Sequence, residues 1–478
     1  MKVLVVFLHR LLDFRTLEFR SLAEYVGVKD ARLEEPFGGS LMSPFWYVHL
    51  PDERAQELSR TICDRAALVK SMIQVWAEGA TLDELVEDVR RQPPETFERY
   101  ISQQESFKVI VDYFGRRVST RDQQDVFDKL AFLRLGGKVS LTNPEQLYIV
   151  IRADPDGLPN RSGLPEGVPT RWYFGRVLAD HRKRKESTSK FALPDRPYIG
   201  PTSMDPTVAQ VMCNVGGVGP GRICFDPFVG TGSILVTAAY LGGYTFGSDI
   251  DIRVVRDGMY KTDKDGRKLT LWRNFQHYGL PSPVGFLATD VHRTSFRMQV
   301  LEGLVDSIVC DPPYGVRAGG RKSVPRDLPA TMTAEQRKAH VPHTGTFTMV
   351  ECLADLLDLA SRALRVGGRV VFFLPWPHLH ADAKEHEEIR ILASHPVLRL
   401  TGMGIQHLTT RYTRLLVVFE KRRACGADDA ELAAASRAMR AADLVFDRMA
   451  EIIYTPASEL PPEDAERLKK RKFRGKMH

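Results

Sequence analysis

The 478-residue chain has six cysteines, at positions 63, 213, 224, 310, 352 and 425, and no two form a C-x-x-C pair. That scatter argues against a structural zinc site or a disulfide framework and suits a reducing compartment. The expected location is the cytoplasm, with the nucleus as a second candidate. His340 and His343 read as loop histidines rather than ligands, so no resident metal is expected. No run of about 18 apolar residues exists to span a bilayer. The opening "MKVLVVFLHR" is interrupted by His9 and Arg10, leaving an apolar run too short for a signal peptide. There is no internal repeat. Charge of one sign is scarcely in excess: 67 Lys and Arg against 60 acids, a net charge of +7. That balance fits a polyanionic partner without requiring one.

With 43% hydrophobic and 27% charged residues, the composition is that of an ordinary globular protein. The length implies about two or three domains, since single cores rarely grow past roughly 250–300 residues. The clearest boundary is "DPDGLPNRSGLPEGVPT" (154–170), dense in Pro and Gly, followed by the basic run "HRKRK" (181–185). The expected organisation is an N-terminal α+β region over 1–152 and a linker over 153–190. An α/β domain over 191–422 and a C-terminal helix with a basic tail over 423–478 complete it.

In the first part, "FKVIVDYFG" places Phe107, Val109, Val111 and Tyr113 on one face of a strand. Ser119 and Thr120 open a helix with Val126, Leu130 and Leu133 in its stripe, closed by Gly136-Gly137. "KVSL" (138–141) and "LYIVI" (147–151) read as further strands. After the linker, strands and helices alternate. "RICF" (222–225), "YTFGSDID" (244–251), "GFLATD" (285–290), "DSIVCD" (306–311) and "RVVFFLP" (369–375) read as strands. Helices are expected near 233–241 and 353–364, and an antiparallel strand pair near 399–421. The alternation predicts a doubly wound, mostly parallel, Rossmann-like sheet with ligands at the carboxyl ends of its strands.

"DPFVGTGSIL" (226–235) is a glycine turn between a strand and a helix. Such a turn lets backbone N–H groups approach a ligand at the helix N-terminus. The dinucleotide fingerprint G-x-G-x-x-G fails at its third glycine, because Gly230-Thr231-Gly232 is followed by Ser233-Ile234-Leu235. The P-loop lysine is absent as well. Asp226 before the turn suits an amine better than a phosphate. Asp249 ends the next strand, where it would accept from ribose hydroxyls, and Asp290 ends the third, where it would accept from an adenine amine. An amine, a ribose and an adenine together point to S-adenosylmethionine.

The stretch Asp311-Pro312-Pro313-Tyr314 follows the fourth strand at the same rim. An exocyclic amine on a base is conjugated with the ring and is a poor nucleophile. A carboxylate and a proline-fixed carbonyl that accept its two hydrogens draw the lone pair out of conjugation, with little reorganisation during reaction. Tyr314 offers a stacking face. Cys310 reads as a buried strand residue rather than a nucleophile. Transfer would be a direct displacement without a covalent enzyme intermediate, with Asp311 as the proton acceptor.

These strings resemble the amino-methyltransferases of class I fold. Together with "RPYIGPTSMDPTVAQVMCNV" (196–215), "GSDID" (247–251) and "DPPYGVRAG" (311–319), they resemble more narrowly the catalytic subunit of eukaryotic tRNA guanine-10 N2-methyltransferases. The stretch from "FGRRVS" (114–119) to "LYIVI" resembles the RNA-binding THUMP domain, and "WYFGRVLADHRKRK" (172–185) that family's connecting segment. The resemblance implies S-adenosylmethionine as cofactor, tRNA as substrate and the N2 amine of guanosine 10 as acceptor. It also implies a heterodimer with a small zinc-binding activator subunit. By position, Thr202, Ser203, Met204 and Asp205 match a segment closing over the methionine end of the cofactor. Asp226, Gly230, Thr231 and Gly232 match the methionine turn, Asp249 the ribose contact, and Asp290 the adenine contact.

Arg317 and Arg321 are candidates for phosphate contact near the target nucleotide. The tail "RLKKRKFRGK" (467–476) is a further candidate for tRNA contact, or a solubilising tail. Leu432, Ala435, Met439, Ala442, Phe446, Met449 and Ile453 follow a 3-4 spacing that predicts a helix packed on its own domain. Two other functions remain open: an adenine-N6 methyltransferase on RNA or DNA, and a non-catalytic tRNA-binding protein retaining a cofactor fold.

Overall fold

Strand β1 (Lys2–Phe7) sends successive side chains to opposite faces, so Val3, Val5 and Phe7 join one apolar cluster while Leu4 and Val6 join another. A strand apolar on both sides belongs in the middle of a sheet. The computed structural model places it there, and describes residues 1–29, 31–36, 43–101, 105–114, 117–153, 170–180, 190–200, 203–258, 262–314, 320–324, 344–377, 386–408, 412–426 and 428–449. The chain divides into two compact units, Met1–Glu186 and Ser187–His478.

In the first unit β1 is joined by β2 (Leu33–Glu34), β3 (Phe45–His49), β4 (Val69–Gly79), β5 (Phe107–Phe114), β6 (Gln146–Ala153) and β7 (Arg171–Asp180). They form one sheet in the order β2-β3-β1-β4-β7-β6-β5. The helices Leu12–Tyr25 and Ala55–Arg65 pack on one part of it, and Leu82–Arg91 and Thr120–Leu130 on another. Residues 1–100 and the THUMP-like stretch therefore belong to one unit, since β1 to β4 share a sheet with β5 to β7.

Three local expectations are corrected. Arg171–Asp180, read as part of a linker, is an internal strand hydrogen-bonded to both β4 and β6. Its run Trp172, Tyr173 and Phe174 is buried, which a connector would not be. "KVSL" is not a strand: Val139 makes one bridge to Phe107, and Val139 and Leu141 are exposed beside the sheet edge. The helix capped by Ser119 ends before the glycine pair. A short 3-10 turn, Ala131–Leu133, follows it, and Arg134 takes the left-handed conformation at φ 47°.

The second unit contains β8 (Ile223–Asp226), β9 (Tyr244–Asp249), β10 (Gly285–Ala288) and β11 (Val305–Cys310). A separate two-stranded ribbon pairs β12 (Arg321–Ser323) with β13 (Thr344–Thr346). The main sheet is completed by β14 (Leu364–Pro377), β15 (Leu398–His407) and β16 (Tyr412–Lys421), in the order β10-β9-β8-β11-β14-β16-β15. Strands β10 through β14 in that order run parallel, while β16 is antiparallel to both neighbours. Val370 to Leu374 are wholly buried, as expected for a strand covered on both faces. From β8 the chain winds outward to β10, then returns to β11 on the other side of β8. That reversal opens a crevice between the carboxyl ends of β8 and β11.

The apolar pattern of 432–453 folds back on its own unit, but not as one helix. The helix Ala430–Ala441, capped by Asp429, stops where Ala442 turns extended. A 3-10 turn, Val445–Arg448, then carries Phe446 against Trp376, with ring centroids 6.0 Å apart. Backbone amides of Val445 and Val350 are drawn into bonds with Glu388 and Asp447, which a continued helix would not permit. Ile453 and the basic tail lie outside the described residues, as do 154–169, the run 181–185, His340 and His343.

Candidate active site

Asp226, the last residue of β8, is 1% exposed, and its Oδ1 accepts from the Phe228 amide at 3.0 Å. Gly230 and Gly232 then take φ of 49° and 79°, a region L side chains avoid, so the chain can turn sharply into the helix Ser233–Tyr240. A Cβ on Gly230 would meet only the Phe228 carbonyl, at 3.9 Å, so the space above it is open. Leu235 stands where a dinucleotide site would have its third glycine. The close approach is supplied from the neighbouring strand instead: a Cβ on Gly247 would lie 2.9 Å from Leu235 Cδ1 and from Val229 Cγ2.

Asp249, at the end of β9, braces this turn. Its Oδ2 accepts from the Gly230 amide and its Oδ1 from the Asp251 amide, each at 3.0 Å. Burial pushes the Asp226 and Asp249 carboxyls upward, and the charges of Asp249 and Asp311 raise Asp226 further. Asp290 is 5% exposed. Its Oδ1 accepts from His292 N at 2.9 Å and its Oδ2 from Ser323 N of β12 at 2.6 Å. Each carboxylate oxygen keeps a second lone pair for a ligand. Three acids thus end three successive parallel strands at one rim.

The segment preceding the sheet is tied to the glycine turn. Ser203 and Thr231 hydroxyls lie 2.7 Å apart, and Ser203 Oγ accepts from the Gly200 amide at 2.9 Å. Met204 is buried, whereas Asp205 is exposed and caps the helix Pro206–Val215 by accepting from the Thr207 amide at 2.8 Å. Two further residues complete the attachment and carry no motif of their own. Asn274, wholly buried on the helix Leu271–Tyr278, holds Tyr198 and the Thr231 carbonyl. Arg196, 3% exposed, donates from Nη1 to Ser233 Oγ at 2.5 Å. The only sequence signal for them was the Arg196-Pro197-Tyr198 string. Thr202 lies outside the described residues.

Asp311 follows β11 directly, across the crevice from Asp226. The Tyr314 hydroxyl donates to Asp311 Oδ1, so the motif closes on itself, while Pro312 is buried. Arg414 Nη1, reaching in from β16, lies 3.5 Å from Asp311 Oδ2. Burial raises the Asp311 carboxyl, and the Arg414 guanidinium and Tyr314 hydroxyl pull it back down. Cys310 is wholly buried and its thiol is pushed up, as befits an inert strand residue. Of the two arginines proposed to meet substrate, Arg317 lies outside the described residues. Arg321 is exposed on β12 and donates to Thr344 Oγ1 at 3.2 Å. Among the described residues no cluster of His, Cys, Asp or Glu could hold a metal, and no helix is long and apolar enough to cross a membrane.

Two family models match the chain: a Tmrp11 THUMP N-terminal domain over residues 1–183 and an RMKL-like methyltransferase domain over 194–366. The tRNA (guanine(10)-N(2))-methyltransferase TRMT11 of Dictyostelium discoideum is 32% identical over 437 residues, covering 88% of this chain and 82% of that protein. The Mus musculus protein of the same name is 30% identical over 423 residues, covering 86% of each. The crystal structure of TrmN from Thermus thermophilus aligns over 88% of this chain and 100% of its own, at 17% identity and TM-score 0.38. With both domain types in order and relatives matched over more than four-fifths of its length, the chain belongs to the tRNA (guanine(10)-N(2))-methyltransferase TRMT11 family.

Proposed function

We propose that this protein methylates the exocyclic N2 amine of guanosine 10 in tRNA, with S-adenosylmethionine as donor. The observation that carries the reading is the Asp311–Tyr314 stretch after β11, facing the glycine turn after β8 across the crevice. The family's named activity supplies the acceptor and its position. S-adenosylmethionine, when bound, supplies a methyl carbon activated by its sulfonium. The residues present fit it. The open space above Gly230 and the acid Asp226 suit the methionine end, while Asp249 and Asp290 offer acceptors for ribose hydroxyls and an adenine amine.

The chain's own part is orientation. The Asp311 carboxylate and a proline-fixed carbonyl accept the two hydrogens of the target amine and point its lone pair at the donor. Asp311 then takes the proton that the nitrogen releases. The Tyr314 ring stacks on the base, its hydroxyl leaving Asp311 as the amine arrives.

The active species is a heterodimer with a small zinc-binding activator subunit. Supporting that assembly, the outer edge of β10 has no strand partner among the described residues, and Val284, Leu287 and Trp272 stand exposed there at 73%, 51% and 38%. Six cysteines, none in a disulfide and all buried, suit a cytoplasmic setting.

The test combines unmodified tRNA transcript, S-adenosylmethionine and the purified chain, with and without the activator subunit, followed by nucleoside mass spectrometry. N2-methylguanosine supports the reading. Methyladenosine would make the enzyme an adenine-N6 methyltransferase. Cofactor binding without any product, even with the partner present, would mark a non-catalytic RNA-binding protein.

A further inference from the structure

Arg414 takes no part in the reaction described above, yet it is built into its centre. It lies directly opposite Gln406 of β15 and Pro375 of β14, so these side chains share one face of the sheet. Phe373, two residues before Pro375, shares that face too. The guanidinium stacks 3.8 Å over the Phe373 ring centroid, and its Nε donates to Gln406 Oε1 at 2.6 Å. With plane and Nε fixed, Nη1 is aimed at the motif: it donates to the Tyr314 hydroxyl at 3.4 Å and lies 3.5 Å from Asp311 Oδ2. The Arg414 side chain is 12% exposed, too enclosed to serve as a solvated surface charge. Asp311 is the one acid paired with it among the described residues.

We propose that Arg414 is a positioning residue for the methyl transfer, holding Asp311 in place as the charged acceptor of the target amine. The proposal rests on the functional reading of Asp311 given above. Its physical basis is the balance of groups around that carboxylate. Tyr314 of its own loop donates a hydrogen bond and Arg414 of β16 brings a positive charge, and both oppose the effect of burial. Phe373 and Gln406 are uncharged. Without Arg414, burial acts on Asp311 opposed only by the Tyr314 hydroxyl. Asp311 would then take up a proton nearer neutrality and lose acceptor strength as pH falls. Lysine restores charge but cannot stack on Phe373 and bond Gln406 while reaching Asp311.

The test follows N2-methylguanosine formation in transcript tRNA from pH 5.5 to 9 for the unsubstituted heterodimer, Arg414→Met and Arg414→Lys, with S-adenosylmethionine binding titrated in parallel. Arg414→Met is expected to move the acidic limb of kcat/KM, which reports the free enzyme, up by about one pH unit or more. Its deficit should be largest at the acidic end of the range, tending to about tenfold there, and should shrink as pH rises, with cofactor affinity within about twofold of normal. Arg414→Lys should recover part of the acidic limb. Gln406→Leu, which frees Nε but keeps the charge, should shift the limb less and carries the test if Arg414→Met does not fold. Unchanged profiles, or a rate loss equal at every pH, would overturn the proposal while the functional reading stands. Absence of N2-methylguanosine from the unsubstituted heterodimer at every pH would overturn both.

Discussion

Asn274 and Tyr198, 76 positions apart, hold each other by two hydrogen bonds. The Tyr198 amide donates to Asn274 Oδ1 and Asn274 Nδ2 donates to the Tyr198 carbonyl, each at 2.9 Å. The same Nδ2 reaches the Thr231 carbonyl at 3.1 Å, so one side chain ties the segment before the sheet to the glycine turn. Asn274→Leu would strand three backbone groups in a buried setting. We expect a loss of about 3 kcal/mol or more in denaturant unfolding. Weaker S-adenosylmethionine binding should accompany it, because the turn loses its brace. Unfolding within about 0.5 kcal/mol of the parent, the spread typical of neutral surface changes, would show that the clamp is not structural.

Gly230 and Gly247 should fail differently. Gly230→Ala places a methyl group in open space, at a φ of 49°. Its stability cost is about 1–2 kcal/mol, while cofactor affinity should fall by tenfold or more because the methyl occupies the cradle. Gly247→Ala drives a methyl into Val229 and Leu235, a packing cost of about 1–3 kcal/mol. Calorimetric titration and thermal melts on both variants separate the two losses, and equal effects on affinity would contradict the assignment.

Asp311→Ala should lower kcat by about 100-fold or more, on the scale of losing one preorganised polar contact. tRNA binding, measured by filter retention, should hold. Near-parental turnover would remove Asp311 from the chemistry.

His395 predicts an acid sensitivity unrelated to catalysis. Its Nδ1 accepts from the Val397 and Leu398 amides at 3.2 and 3.0 Å, so it is held neutral. Burial, helped by the Arg423 charge, lowers its pKa from 6.5 to about 4. The unfolded chain therefore binds the extra proton between those values, and stability is lost as pH falls from 6.5 towards 4. The expected loss from pH 7 to pH 5 is on the order of 1–2 kcal/mol. His395→Asn should flatten that dependence in melts at the two pH values; an unchanged slope would place the acid sensitivity elsewhere.

Much of the site was legible because its signals are local. An apolar strand ending in an acid, a glycine pair before a helix and a doubled proline each lie within a dozen residues. Together they pointed to Asp226, Gly230, Gly232, Asp249, Asp290 and Asp311 as candidates and to a mostly parallel sheet. The THUMP-like stretch was legible too, though β7 hid behind a Pro- and Gly-rich segment that reads as a connector.

By itself, then, the sequence determined most of the second unit's strands, the parallel sheet they imply and the acids that follow them, since backbone sterics and side-chain periodicity act between neighbours. Only the tertiary structure decided that Gly247 makes room for Leu235, that Asn274 clamps Tyr198, and that Arg414 meets Tyr314 from 100 positions away. The reason is physical. Those pairings depend on strand register and on which face each side chain takes, and both are set only when the sheet assembles.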